Sequence, residues 1–278
     1  MKNTVVRYLT AIVALPLVII LILYPHQALF ATIAGSLFLI ALSEWLVIIC
    51  KVSGAIPKTV GIISGAICIT GFLAYDIYQD GFLIVFPTAI VLIGSALYYA
   101  AGPQTDMKAA AASVSGLITA SLIVSWSCGS LILIRGNEVP LDGRYVLFLL
   151  LSIVWLGDAG AMHIGRRFGK RRLSPVISPG KTVEGLIGAL VTGTIAGLLA
   201  NAAFRLPIPF WHLLLLSPVI IVLSHTGDLL KSIFKRAACV KDSGHLIPGH
   251  GGFLDRLDSL LLTAPLMYAY IRLVWLPL

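Results

Sequence analysis

Of the four carboxylates in the stretch from Gly227 to Asp258, Asp228, Asp255 and Asp258 lie at the ends of apolar runs, and Asp242 stands between; five cations, Lys231, Lys235, Arg236, Lys241 and Arg256, share the stretch. Carboxylate oxygens are hard donors, and Mg²⁺ takes one or two of them together with waters and substrate phosphates. The three-residue step from Asp255 to Asp258 sets both acids on one face if the segment is helical. Asp158, farther upstream, joins Asp228, Asp255 and Asp258 as a fourth acid. Four acids could hold Mg²⁺ and a second cation, and two metals can clamp the attacking and leaving oxygens of a phosphoryl-type transfer. A plainer reading makes the same acids ion pairs with Arg256, Lys231 and Lys235 that tie helix ends together. Glycine-rich and cation-rich flanks favour the metal reading. The candidate metal ligands are therefore Asp228, Asp255, Asp258 and Asp158, with Asp228, Asp255, Lys235, Arg236 and Lys241 as candidate catalytic residues.

Pro248-Gly249-His250-Gly251-Gly252 stands just before the last apolar run. Glycines let successive backbone N–H groups point at an anion, and a helix start adds its partial positive charge. Gly251 and Gly252 are candidate phosphate contacts, and His250 would touch phosphate or orient a carboxylate. Lys235, Arg236, Lys241 and Arg256 would neutralise a triphosphate and the pyrophosphate leaving it. A second segment, Ser178-Pro179-Gly180-Lys181-Thr182-Val183-Glu184-Gly185, puts Lys181 beside Ser178 and Thr182 at a helix start. That suits a phosphate contact, or a lysine snorkelling to anionic lipid. A P-loop would need glycine at position 175, which is Pro175, and a preceding strand, which is not expected here.

The elements that position these residues are membrane spans. The chain is 58% hydrophobic and 12% charged, against about 25% charged in soluble domains. Spans of roughly 20 apolar residues fit at about 4–24, 28–50, 58–76, 81–100, 109–134, 144–165, 183–203, 208–230 and 254–275. The expected fold is an all-α polytopic helical bundle of about nine transmembrane helices. Its expected divisions are an N-terminal scaffold of five spans (1–135) and a catalytic region of four (136–278) with cytoplasmic loops 166–182 and 231–253. The first run is too long for a signal peptide, lacks a small-residue cleavage site, and is read as a retained helix. Cys50, Cys68, Cys128 and Cys239 form no Cys-x-x-Cys pair and read as small apolar residues. With the N-terminus inside and the C-terminus outside, 16 of the 20 basic residues fall on the cytoplasmic side; Arg135, Arg144, Arg205 and Arg272 do not. The net charge of +8 follows mostly from that bias, so nucleic acid is not expected as a partner.

Asp158 would sit roughly 12 Å inside the helix end marked by Arg166, at 1.5 Å per residue. A carboxylate at that depth needs a wet cavity, a cation or a metal. Glu44, Asp158, Glu184, Asp228, Asp255 and Asp258 all fall towards the expected cytoplasmic side of their spans. Glu44 reads either as an interfacial carboxylate bonded to a neighbouring helix or as a supporting member of the site. The Gly193–Gly197 pair has GxxxG spacing, which suits packing within the chain or between subunits equally.

Ser232-x-Phe234-Lys235-Arg236-x4-Lys241-Asp242-x-Gly244-x2-Ile247-Pro248-x-His250-Gly251-Gly252-Phe253-x-Asp255-Arg256-Leu257-Asp258 resembles the signature of the phosphatidate cytidylyltransferases. Gly227-Asp228-Leu229 and the 178–185 segment are similar to the family's other marks, so the likeness covers roughly 150–260. The resemblance implies Mg²⁺-dependent transfer of CMP from CTP to phosphatidic acid, giving CDP-diacylglycerol and pyrophosphate. It also implies a homodimer in the bacterial cytoplasmic membrane with the site facing the cytoplasm. On this likeness Asp228 and Asp255 would bind metal with Asp258 and Asp158 in support. Ser178, Lys181, Thr182, Glu184, Ser232, His250, Gly251, Gly252 and Arg256 would bind substrate. Two departures stand out: Ala161-Met162-His163 where the family often has Ala-Tyr, and Lys231 where a less basic residue is expected.

Rival classes fit less well. An ion-coupled transporter would show inverted repeats and mid-bilayer charges, whereas the chemistry here crowds into the C-terminal half. A CDP-alcohol phosphotransferase also uses Asp-x-x-Asp, but its longer downstream pattern does not fit after Asp258. An enzyme of the same kind acting on another lipid phosphate, such as an isoprenoid one, is open, because acyl recognition is apolar and unpatterned.

Overall fold

A computed structural model of the chain describes residues 2–53, 58–101, 107–136, 141–244, 246 and 251–275. It divides into two compact units, Met1–Gly136 with Phe234–Leu257, and Asn137–Ile233 with Asp258–Leu278. Among the described residues, seven helices are long and apolar enough to cross a membrane, and Ile12–Leu23 and Phe82–Leu97 are shorter apolar helical stretches. Together these fall on the nine expected spans. The fold is all-α and polytopic, with one small hairpin as its only sheet among those residues.

The first unit holds α1 (Lys2–Leu23), α2 (Gln27–Ser53), α3 (Lys58–Tyr78), α4 (Phe82–Ala101) and α5 (Met107–Arg135). Its core is made by α2, α3 and α5, where Leu42, Trp45, Leu46, Leu117, Val124 and Cys128 are buried. The ring of Phe72 on α3 occupies the place a side chain at Gly129 would fill. Close backbone approach at such small residues is what associates helices in lipid, where apolar burial gives no preference for helix over solvent. At one end of this core Arg135 donates from Nε to the Ile22 carbonyl at 2.9 Å, serving a backbone acceptor left over near the end of α1.

The second unit contains α6 (Gly143–Phe168), β1 (Arg172–Ser174), β2 (Ser178–Thr182), α7 (Val183–Ala203), α8 (Phe210–Ala237) and, after the short α9 (Leu254–Leu257) of the first unit, α10 (Leu260–Trp275). The unit boundary falls within α8, after Ile233. On α7 the large side chains Ile187, Val191, Ile195 and Leu199, spaced by four, are exposed, while Gly185, Gly188, Gly193, Gly197 and three alanines are buried. That is the reverse of a helix in water and the arrangement of a helix whose outer face meets lipid. The protein is an integral membrane protein. Gly193 and Gly197 both turn inward: a Cβ at Gly193 would lie 3.0 Å from the Ile153 carbonyl oxygen, and one at Gly197 2.7 Å from Ser217 Oγ. The GxxxG pair therefore packs α7 against α6 and α8 within one chain.

Three features differ from the sequence expectations. Residues 231–237, expected in a loop, form the last two turns of α8. No glycine or proline interrupts that segment, and Lys235 and Arg236 suit the negative end of the helix dipole. Part of the expected loop 166–182 is an antiparallel hairpin pairing Arg172 with Thr182 and Ser174 with Ser178. Gly180, Lys181 and Thr182 thus lie in a strand that runs straight into α7. A strand is present after all, but these residues are inside it, not in a loop beyond it. Finally, α9 stops at Leu257, so Asp255 lies in that short helix and Asp258 in the turn after it. The Ser259 N–H is taken by Asp258 Oδ1 at 2.7 Å, and such local side-chain bonds compete with helical ones.

Candidate active site

In the second unit, two lysines and two acids meet. Lys181, at the end of β2, reaches Asp228 Oδ2 at 2.7 Å and donates to the His225 carbonyl at 3.4 Å. Lys231, one turn after Asp228 on α8, stands 3.4 Å from Asp228 Oδ1 and also binds Asp258 Oδ2. Its side chain is only 2% exposed. Taking an ammonium that far from water costs several kcal/mol unless partners replace the hydration, and here carboxylates stand on both sides. The Asp258 turn is pressed close to α8 at Gly227, where a Cβ would lie 2.7 Å from the Asp258 carbonyl oxygen. Asp158, exposed on α6, lies within the electrostatic reach of Asp258, Lys181 and Asp228.

Thr182 and Glu184 shape the strand that brings Lys181 in. Thr182 is buried and caps α7, its Oγ1 accepting from Gly185 N at 3.1 Å. Glu184 accepts from the backbone of Lys170 at 3.0 Å and of Arg171 at 3.2 Å, so it fixes the basic turn after α6. Ser178 sits in the hairpin opposite Ser174. Ser232 is buried on α8.

The first unit holds a separate polar constellation. Lys235 Nζ binds Asp255 Oδ1 at 2.9 Å. Asp255 Oδ2 accepts from Ser243 N at 2.9 Å, Ser243 Oγ at 3.0 Å and Gly252 N at 3.3 Å. Glu44, from α2, accepts from Phe253 N at 3.0 Å and Leu254 N at 2.9 Å, and its Oε2 shares the single Ser243 hydroxyl hydrogen with Asp255, at 3.0 Å from Oγ. Gly251 has a positive φ of 80°, which an L side chain rarely adopts. A side chain at Gly252 would collide with Ser243 Oγ and Glu44 Oε2. The glycines thus let the chain turn tightly over two carboxylates. Arg236, Lys241 and Arg256 are exposed. His250 lies outside the described residues.

The structure therefore brings Lys181, Asp228 and Asp258 together, with Asp158 near them, and separately gathers Lys235, Asp255 and Gly252. Sequence reasoning named Lys231 only as an ion-pair partner of the acids, missed Ser243, and left Glu44 undecided. A buried-lysine signal was present, since a cation three residues after Asp228 in a helix must lie on the same side. For Glu44 no local signal existed, because its partners are about 200 positions away.

Among the described residues no group of three or more His, Cys, Asp or Glu forms a ready metal cluster. Mg²⁺, however, takes only one or two carboxylates and completes its shell with waters and phosphates. Asp228 and Asp158 offer such oxygens, and the cation already seated on Asp228 and Asp258 marks the place as cation-binding.

Fold and site together define an all-α integral membrane protein with charged networks carried by its C-terminal spans and hairpin. The Cytidylyltransferase family model matches residues 5–274, and the chain belongs to that family. Phosphatidate cytidylyltransferase of Bacillus subtilis is 42% identical over 131 residues, 47% of this chain and 49% of the relative. The protein of that name from Staphylococcus saprophyticus is 46% identical over 124 residues, 45% of this chain and 47% of the relative. That from Haemophilus influenzae is 42% identical over 130 residues, 45% of each chain. The chain spans about half the length of the curated relatives it matches.

Proposed function

We propose that this protein transfers CMP from CTP to phosphatidic acid, yielding CDP-diacylglycerol and pyrophosphate, in a Mg²⁺-dependent reaction at the cytoplasmic face of a bacterial inner membrane. One observation carries the reading: in a chain of this family, Lys181, Asp228, Lys231 and Asp258 form a charged network on the C-terminal spans. The names of the bacterial relatives supply the substrate.

The phosphate of phosphatidic acid is already a nucleophile, so no strong base is required. One of its oxygens attacks the α-phosphorus of CTP, and the bond from that phosphorus to the β-phosphate oxygen breaks. Pyrophosphate leaves with the bonding pair. Catalysis then rests on positioning and on charge stabilisation. Lys181, paired with Asp228 in the resting protein, exchanges that partner for a phosphate oxygen. On the family resemblance, Lys235, Arg236, Lys241 and Arg256 are further candidate phosphate contacts. Asp228 and Asp158, supported by Asp258, would hold Mg²⁺, which when bound neutralises charge on the phosphates.

The test is conversion of CTP labelled at the α-phosphate by purified protein in liposomes containing phosphatidic acid. Labelled CDP-lipid and pyrophosphate should form with Mg²⁺, stop with EDTA and resume when Mg²⁺ is restored. Absence of a CTP-dependent lipid product overturns the reaction, and turnover undiminished by EDTA overturns the metal. Faster use of an isoprenoid phosphate than of phosphatidic acid would reassign the acceptor.

A further inference from the structure

Lys231 is a lysine with 2% exposure set between two carboxylates, and the reaction chemistry above gives it no task. Two acids already hold its ammonium. Its near neighbour Lys181 is 21% exposed and bonded to a single carboxylate, Asp228, which suits a lysine that exchanges partners. Lys231 instead occupies the position where Asp228 Oδ1 and Asp258 Oδ2 converge on one cationic atom. Asp258 keeps its other oxygen on Ser259 N, so it is fixed in orientation. Gly227 holds the Asp258 backbone close against α8, which leaves little freedom for the ammonium to withdraw.

We infer that Lys231 is a tethered cation that takes the place a second metal ion would have between Asp228 and Asp258, so that the protein admits one divalent ion and not two. The inference rests on the Mg²⁺-dependent reading above. Four acids suggested enough donors for two cations; one of those two positions is filled by the chain itself. A divalent ion bridging the same carboxylates would have to displace an ammonium whose side chain is only 2% exposed, and a buried charge that loses its carboxylate partners is costly. An ammonium is also a compact point charge with three donors, able to bind both acids as a small cation does. Asp158, which makes no hydrogen bond or ion pair among the described residues, is left for the remaining ion.

Mn²⁺ serves as the probe, counted by electron paramagnetic resonance in the full-length protein in nanodiscs without nucleotide or phosphatidic acid. Wild type and Lys231→Arg should each bind one Mn²⁺, and Lys231→Met two. In EDTA, Lys231→Met should melt below wild type and regain most of the difference when Mn²⁺ is added, which a purely structural lysine would not produce. One ion in both wild type and Lys231→Met overturns the inference and leaves the Mg²⁺ reading standing. Two ions in wild type overturn the inference without any variant. No ion in wild type overturns the Mg²⁺ reading and the inference with it. If Lys231→Met does not fold, Lys231→Gln, which keeps a neutral donor between the acids, carries the same comparison.

Discussion

Glu44→Gln isolates the carboxylate that holds the glycine turn of the first unit. The wild-type side chain accepts from Phe253 N at Oε1 and from Leu254 N at Oε2, and Oε2 shares the Ser243 hydroxyl hydrogen with Asp255. An ionised carboxylate only accepts, whereas an amide of the same shape has one accepting oxygen and one donating nitrogen. With the amide oxygen in the Oε2 place, Leu254 and Ser243 keep their acceptor, and the NH₂ group faces the Phe253 N–H, donor against donor. The opposite flip sets the NH₂ against the Leu254 N–H while it donates to Ser243 Oγ, so either orientation leaves one backbone donor facing a donor. A hydrogen bond to a charged group contributes about 1.5–3 kcal/mol, so the variant should weaken the turn by roughly 2–3 kcal/mol. At 1.4 kcal/mol per decade, the open population of the turn rises about 30- to 150-fold. Hydrogen exchange read by mass spectrometry on peptides carrying Phe253 and Leu254 measures that opening directly. Peptides from α5 provide the internal control and should be unchanged. If exchange of Phe253 and Leu254 in Glu44→Gln stays within twofold of wild type, Glu44 does not hold the turn and the argument fails.

Asp228→Asn should reduce CTP conversion by well over tenfold, more than about 1.4 kcal/mol of transition-state stabilisation; retention of a tenth of the activity by a folded variant would remove Asp228 from the metal site. Gly197→Leu forces bulk against Ser217 and Ile153 and should cost about 1–3 kcal/mol, seen as a lower Tm at unchanged oligomeric state. A changed oligomer at unchanged Tm would put that glycine face between subunits. Glu184→Gln weakens the clamp on Lys170 and Arg171, so trypsin should cut after those residues faster than in wild type. Equal cutting rates would mean that the turn is held by something else.

Hydropathy carried the spans well because a lipid environment imposes a length and composition on every helix that crosses it. Each of the nine expected runs contains a helix among the described residues. Hydropathy marks where lipid ends, however, and not where a helix ends. The last turns of α8 are charged and so read as loop, yet Lys231 and Lys235 sit on helical backbone because nothing in Lys231–Ala237 breaks a helix. The hairpin at Arg172–Thr182 was hidden for a related reason: three- and five-residue strands rich in Ser, Pro and Gly have no alternating pattern to read.

The networks were legible only as an inventory. Asp255 and Asp258 were recognised together, on the expectation of one continuous helix; instead α9 ends between them, and each has its own lysine on α8, Lys235 for Asp255 and Lys231 for Asp258. The reason is a competition that sequence spacing does not weigh. A helix continuing through Asp258 gains its ordinary backbone bonds, whereas a turn there lets Asp258 take the Ser259 N–H and pair with a buried ammonium. Burying Lys231 unpaired is the costlier alternative, so the lysine dictates where the acid must be, and the helix yields. The cation that had no place in the family resemblance therefore sets the position of one of its acids. Any account of charge at this site must begin by counting that ammonium.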